Sequence, residues 1–322
     1  MASAAAVIPT WNRRDLLSAL LQNLQQQTRR FDEVVVVDNG STDDSAALAE
    51  SAGARVLRLE RNFGFAAAVN RGIEATRSDW VAILNNDVTL ASNWLDTLLS
   101  ATPQDASFAA GKILSASDPT IIDGVFDEIS RGACAWRCGA GKADAPVWNR
   151  PQDIRIAPMT AALFRRALFE EVGLLDEQFG SYLEDVDFGF RCALSGRHGV
   201  YVPSAVAHHR GSATSGRWHK DTVRLISRNQ SLFARKHLSG LPWVPILAGQ
   251  LLWGLVACRH GRGFSFLRGK VQGLRANLTP RVQPERLQAV SAFLEESERH
   301  IFELQRETGF DAYWRAYFWL LR

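Results

Sequence analysis

Trp80-Val81-Ala82-Ile83-Leu84-Asn85-Asn86-Asp87 is the stretch on which the reading of this chain turns: an apolar strand that runs straight into two amides and a carboxylate. Oxygen ligands at the end of a buried strand lie at one sheet edge, where a divalent cation and a diphosphate can sit together. Asn and Asp are also common in ordinary turns after strands, so the stretch needs company before it signals chemistry. A second acidic cluster, Glu184-Asp185-Val186-Asp187, and the pair His208-His209 beyond it provide that company.

Upstream of Trp80 the chain alternates strand and helix signals. Residues 4–8 read as a buried strand, and Leu16, Leu17, Leu20, Leu21 and Leu24 mark one face of the helix that follows. Val34-Val35-Val36-Val37 is apolar on both faces, as a central parallel strand is. A helix over 43–51, a strand over 55–59 and a helix over 65–76 complete the approach. The pattern predicts an α/β open sheet. Parallel strands point one way, so Pro9-Thr10, Asp38-Asn39-Gly40-Ser41 and Asn85-Asn86-Asp87 are predicted neighbours along the edge where nucleotides bind.

At 322 residues and 46% hydrophobic content the chain can bury one large α/β domain with an appendage, or two domains, and a disordered protein is excluded. Of its cysteines, Cys134 and Cys138 are close together and Cys192 and Cys258 stand apart; a zinc site would need two further ligands, so free thiols in a reducing compartment are expected. The stretch before Pro9-Thr10 has no basic start and no signal-type apolar core, which predicts a cytosolic chain. The net charge of +3 conceals a segregation: between Arg210 and Arg281 there are 13 Lys and Arg against one acid, Asp221, a balance of +12 against −9 elsewhere. An anionic partner for this segment follows, with a membrane surface or a lipid diphosphate as plausible as nucleic acid.

Residues 7–13 (Val7-Ile8-Pro9-Thr10-Trp11-Asn12-Arg13), 36–43, 62–70 and 84–88 resemble four successive signatures of family 2 glycosyltransferases. Residues 162–166, 172–177 and 182–191 resemble the acceptor half of the same family, and the resemblance runs in order from about residue 7 to residue 229. It implies a GT-A fold, in which a Rossmann-like nucleotide-binding sheet continues into a mixed acceptor-side sheet. With it come a nucleoside-diphosphate sugar as donor, a Mg or Mn cation, and inverting transfer to a glycan or lipid-linked glycan acceptor. The Asn85-Asn86-Asp87 form and the Gly211-Ser212-Ala213-Thr214 loop are similar to rhamnosyltransferases, which makes rhamnose the first choice of sugar.

Each motif then takes a role. Asp38, directly after a strand, can accept from a pyrimidine imide or ribose; it can equally close a turn that caps the next helix, and both readings can hold together. Pro9, Thr10 and Asn39 would line the same pocket. Gly64 would let backbone approach a ligand closely, and Asn70 on the following helix would reach the donor. By resemblance Asn85, Asn86 and Asp87 form the metal-binding motif, usually written with aspartate at both ends. Asn85 departs from that form; the neutral amide leaves less negative charge, so metal and donor diphosphate should bind together. Asp87 is the expected protein ligand, joined by His209, with His208 as the alternative, since adjacent strand residues face opposite ways. The resemblance makes Asp185 the general base, with Glu184 beside it; helical geometry points Glu184 and Asp187 in other directions, to hold the acceptor or the loop, and Arg191 can pair with one of them or serve structure alone. Trp136 and Trp148 are equally at home on a sugar face or in a core.

Residues 1–235 are the expected catalytic domain, split at about residue 100 into nucleotide-sugar and acceptor halves, with 236–322 a helical C-terminal region. Residues 238–258 carry no formal charge, but Pro242, Pro245, Gly249 and Gly254 make a poor transmembrane helix; an interfacial segment at the inner face of the cell membrane and a helix packed on the protein are the two readings. Residues 284–322 open with an amphipathic helix and close with an aromatic run. Two rival classes stand beside the transferase. A nucleotidyltransferase would show a Gly-rich, basic phosphate loop after the first strand, which Pro9-Thr10-Trp11-Asn12 is not. A non-catalytic sugar-binding module would lack the base, and Asp185 is present. A nucleic-acid partner would leave the acidic and His motifs without a purpose.

Overall fold

The computed structural model describes residues 2–211, 218–278 and 284–321. It contains strands β1 (Ala4–Thr10), β2 (Glu33–Asp38), β3 (Arg55–Arg58), β4 (Trp80–Leu84), β5 (Val88–Leu90), β6 (Phe108–Ser115), β7 (Ile122–Gly124), β8 (Asp127–Ile129), β9 (Ala135–Arg137), β10 (Gln152–Ile154), β11 (Ala161–Arg165) and β12 (Gly199–His209). The helices are α1 (Arg14–Gln25), α2 (Ser45–Ser51), α3 (Phe65–Ala75), α4 (Trp94–Ala101), α5 (Arg166–Val172), α6 (Glu184–Leu194), α7 (Lys220–His237), α8 (Trp243–Arg259), α9 (Gly263–Arg275), α10 (Leu287–Thr308) and α11 (Ala312–Leu320).

The chain forms two compact units. The first comprises the described residues up to Phe126 together with Gly139–Gly211, and holds a ten-stranded sheet in the order β10-β12-β6-β11-β4-β1-β2-β3, with β5 on β12 and β7 on β6. β4, β1, β2 and β3 are parallel, and β11 runs antiparallel between β4 and β6. This is the expected GT-A arrangement of a Rossmann-like half continuing into a mixed half. The chain leaves β1 toward β2 and β3, then crosses to β1's other side for β4. The carboxyl ends of β1 and β4 therefore flank a topological switch point, where open α/β sheets bind ligands.

The local sequence explains the packing. β4 is buried along its whole length, and so are the five leucines of α1. The Ala66-Ala67-Ala68 run of α3 reflects a helix pressed onto the sheet: a Cβ at Gly72 would lie 2.2 Å from the Val7 side chain. Arg165, opposite Trp80 in register, lays its guanidinium over the indole at 4.4 Å.

The second unit comprises Asp127–Cys138 and the described residues after 217. Within this unit the β8–β9 hairpin and α7 bury their inner faces on the C-terminal helices. Glu128 accepts from Ser297 and pairs with His300 (2.7 Å), Glu298 binds Arg131 (2.6 Å), and the Tyr317 hydroxyl donates to Glu298 (2.6 Å). α7 and α9 approach so closely that a Cβ on Gly269 or Gly273 would meet α7 backbone oxygens at 2.3 and 2.5 Å. The four cysteines are free thiols, and burial raises Cys134 to about 11 and Cys192 to about 12.

Glu33, at the start of β2, accepts from Arg77 N (3.0 Å), Ser78 N (2.9 Å) and Ser78 Oγ (2.6 Å), tying β2 to the turn before β4. Burial works to raise its pKa, but the Ser78 and Arg77 hydrogen bonds and the Arg55 charge hold it below the ordinary glutamate range. A lowered folded-state value stabilises the fold above the ordinary glutamate pKa, and this is lost as pH falls through the folded value. Glu33→Ala is expected to cost about 1–3 kcal/mol in urea unfolding at neutral pH, with the gap from wild type narrowing in the acid range below the ordinary glutamate pKa. A gap that stays constant through that range would contradict the assignment.

Candidate active site

The loops after β1, β2 and β4 meet beside the switch point. Asn39 N donates to Thr10 O (2.8 Å), and Asn86 Nδ2 donates to Thr10 Oγ1 (2.8 Å), so a side-chain bond spans the β1–β4 reversal. Thr10, Asp38 and Asn39 are buried; Pro9 is half-buried and stands opposite Val37. Asp38 Oδ1 accepts from Ser41 N (3.1 Å), which realises the turn-closing reading. Asn12 N donates to Ser41 Oγ (2.7 Å), and Asn12 Oδ1 accepts from Thr42 N (2.9 Å). Asn12 and Arg13 both adopt left-handed backbone (φ 57° and 66°), a strained pair held by these bonds.

Three expected donor contacts have other occupations. Asn39 uses its amide to hold the next loop, donating to Asn62 Oδ1 (3.2 Å) and Gly64 O (3.0 Å) and accepting from Phe63 N (2.9 Å). Gly64, at φ 93°, does permit a close approach, but of protein: a Cβ there would lie 2.9 Å from Gly180 backbone. Asn70, expected at the donor, is buried and bonded to protein. Its amide donates to Leu175 O (2.9 Å) and Glu177 Oε1 (3.1 Å) and its oxygen accepts from Leu175 N (3.0 Å), a clamp on the loop that leads toward α6. Trp136 and Trp148 are both core residues. The exposed aromatics of the edge loops are Trp11, Phe63 and Tyr182, which the sequence reading did not single out.

Asp87 and His209 meet. His209 is opposite Val88 in the β5–β12 register, and its Nε2 lies 3.1 Å from Asp87 Oδ1; on the other side, Nδ1 lies 2.9 Å from Asp123 Oδ2. His208, on the opposite face of the strand, is absent from this cluster. Burial works against protonation of the His209 ring, but hydrogen bonds and charge from Asp123 and Asp87 outweigh it and raise the pKa to about 9. Asp123 was missed in the sequence; its signal is an acid set inside the short apolar strand β7. Asn85 is fixed through its backbone, N to Thr160 O (2.9 Å).

This donor set fits a divalent cation. A carboxylate oxygen and an imidazole nitrogen converge, and Asp123 orients the ring from the far side, as carboxylates commonly do for metal-ligating histidines. Among the described residues no group of three or more His, Cys, Asp or Glu forms a ready metal cage, so further ligands would have to come from substrate and water.

The acidic cluster opens α6. Tyr182 and Leu183 before it are both left-handed (φ 72° and 65°), which turns the helix start sharply out of the loop. Glu184 is buried, Asp185 is half-buried and accepts from Val186 N (2.9 Å), and Asp187 is fully buried against Arg191 (2.9 Å). Arg191 also donates to Val172 O (2.9 Å) and Leu174 O (2.8 Å), so the Asp187–Arg191 pair holds the loop before α6. The Ser212–Thr214 part of the rhamnosyltransferase-like loop lies outside the described residues.

Comparison with known proteins agrees with this architecture. The family model "Glycosyl transferase family 2" matches residues 5–173. The chain is 31% identical over 238 residues to N-acetylglucosaminyl-diphospho-decaprenol L-rhamnosyltransferase of Mycobacterium tuberculosis, covering 65% of this chain and 76% of that one. It is 30% identical over 207 residues to the pre-mycofactocin glycosyltransferase of the same organism, covering 63% of this chain and 42% of that one. Among solved structures it resembles a mannosyltransferase of Pyrobaculum calidifontis in complex with GDP-Man and Mn2+, with a TM-score of 0.55 at 17% identity over 98% of this chain and 86% of that one. The GT-A sheet and the ordered motifs along it find their explanation in this match: the chain belongs to glycosyl transferase family 2 and is a glycosyltransferase.

Proposed function

We propose that the chain is a metal-dependent inverting transferase that moves rhamnose from a thymidine-diphosphate donor to a lipid-linked glycan at the inner face of the membrane. The convergence of Asp87 and His209 beside the β1–β4 switch point carries this reading. The mycobacterial relative's L-rhamnosyltransferase name supports the sugar and a polyprenyl-diphosphate-linked acceptor. The Mn2+ in the mannosyltransferase complex supports a divalent cation.

Asp87 and His209 would hold a Mg or Mn ion, which when bound offsets charge on the departing diphosphate. Pro9, Thr10, Asp38 and Asn86 line the edge on which the nucleotide lies, with Asp38 facing the base or ribose, and Asn85 shapes the turn leading into Asp87. Asp185 acts as general base. The acceptor oxygen forms a bond to the anomeric carbon, the bond from that carbon to the diphosphate oxygen breaks with its electron pair leaving on the nucleotide, and the acceptor proton passes to Asp185. Glu184, buried beside it, positions the helix start. No covalent sugar–enzyme intermediate is needed for inversion.

Release of nucleoside diphosphate from a panel of nucleotide sugars, with Mn and with EDTA, tests the reading. One donor should turn over only with metal. Asp185→Asn should lower kcat by about 10²–10⁴-fold with little change in donor KM, whereas Asp87→Ala should suppress turnover and raise the Mn requirement. Metal-independent turnover, or an unchanged kcat in Asp185→Asn, would contradict it. Asp123→Asn, which leaves both proposed ligands in place, should weaken Mn affinity by about 10–100-fold; an unaltered Mn titration would remove Asp123 from its orienting role.

A further inference from the structure

The second unit carries two helices that are packed the wrong way round for a soluble protein. α8 turns its small residues inward, with Pro245, Gly249, Gly254 and Ala257 buried. Its large apolar residues Trp243, Leu247, Leu251 and Leu255, four apart and therefore on one face, are 47–67% exposed. α9 repeats the pattern: Gly269 and Gly273 are buried, and Phe264, Leu267, Val271 and Leu274 are 45–79% exposed. Buried small residues let backbones approach, which is how helices pack when something other than water covers their large side chains. An exposed apolar surface of this extent marks an interaction site.

The charges identify what covers it. From Trp243 to Arg275 there is no Asp or Glu, while Arg259, Arg268 and Arg275 are exposed on or at the ends of the same helices. A two-fold contact with a second copy would set this uniformly basic face against itself. An apolar layer beneath anionic headgroups matches both features at once. α8 has 17 residues, and no described helix is long and apolar enough to cross a membrane, so the fit is to the surface of a bilayer. We infer that the outer face of α8 and α9 is a docking surface for an anionic lipid bilayer, with the leucine and aromatic stripe entering the acyl boundary and Arg259, Arg268 and Arg275 meeting the headgroups.

Flotation of the full chain with vesicles tests this, using phosphatidylcholine alone and phosphatidylcholine mixed with phosphatidylglycerol. The wild type should float with the mixed vesicles and far less with the neutral ones. Leu251→Glu combined with Leu267→Glu should remain at the bottom of the gradient. Arg268→Gln combined with Arg275→Gln should lower partitioning into mixed vesicles about thirtyfold, at roughly fivefold per basic residue. All four positions are exposed, so circular dichroism and donor turnover in detergent-free solution should be those of the wild type, which separates this surface from the transfer site. Equal flotation with both vesicle types, flotation of the Leu variant, or a wild-type dimer that the Leu variant breaks without any vesicle binding would overturn the inference.

Discussion

The antiparallel register that sets His209 opposite Val88 is the constraint on which the candidate site depends. Asp87 is the residue before that pair, so the register alone brings a carboxylate that follows β4 against the imidazole at the far end of β12. The neighbouring pairing of β12 with β6 sets His209 opposite Ser115, and β7 on β6's other flank carries Asp123 to the second ring nitrogen. A one-residue slip in β12 would turn His209 to the opposite face and present His208 instead. Two carboxylates gathered around one imidazole are costly to bury unless positive charge accompanies them. Protonation of His209, favoured by the hydrogen bonds and charge of Asp123 and Asp87, meets that demand.

Much of this was legible in the sequence because it follows from periodicity. The apolar runs at Ala4–Thr10, Glu33–Asp38 and Trp80–Leu84 and the leucine face of α1 lie where the pattern placed them. So does the gathering of Thr10, Asn39 and Asn86 at one edge, since parallel strands leave no other option. What the sequence hid was the partner of each polar side chain. Asn70 and Gly64 sit in motifs that look ready for a ligand, yet both answer to the loop between α5 and α6, whose return to this edge depends on long-range packing. Asp123 was hidden because a lone acid in a three-residue strand has no periodicity to announce it. The pairing of the β8–β9 hairpin was hidden for a similar reason: inserted in the first half of the chain, it finds its hydrogen-bond partners on α10.

The second unit inverts the usual relation between side-chain size and burial. In α10 the large residues Val290, Phe293, Leu294, Ile301 and Leu304 face inward, as in any soluble amphipathic helix. In α8 and α9 glycines take that place, which gives α7 and α9 their close approach and leaves large apolar side chains outside. Arg259, Arg268, Lys270 and Arg275 lie on these same two helices and no acid occurs between Trp243 and Arg275, so sequence and packing point to one partner chemistry.

On the proposed function a divalent cation and the donor diphosphate occupy the Asp87–His209 edge together, because among the described residues no group of three or more His, Cys, Asp or Glu forms a metal cage. Isothermal titration of thymidine diphosphate into the chain, with Mn and again with EDTA, addresses it most directly. Joint binding predicts that affinity falls at least about tenfold without metal, a loss of about 1.4 kcal/mol, and that Mn alone binds weakly. Equal affinity in the two titrations would contradict it.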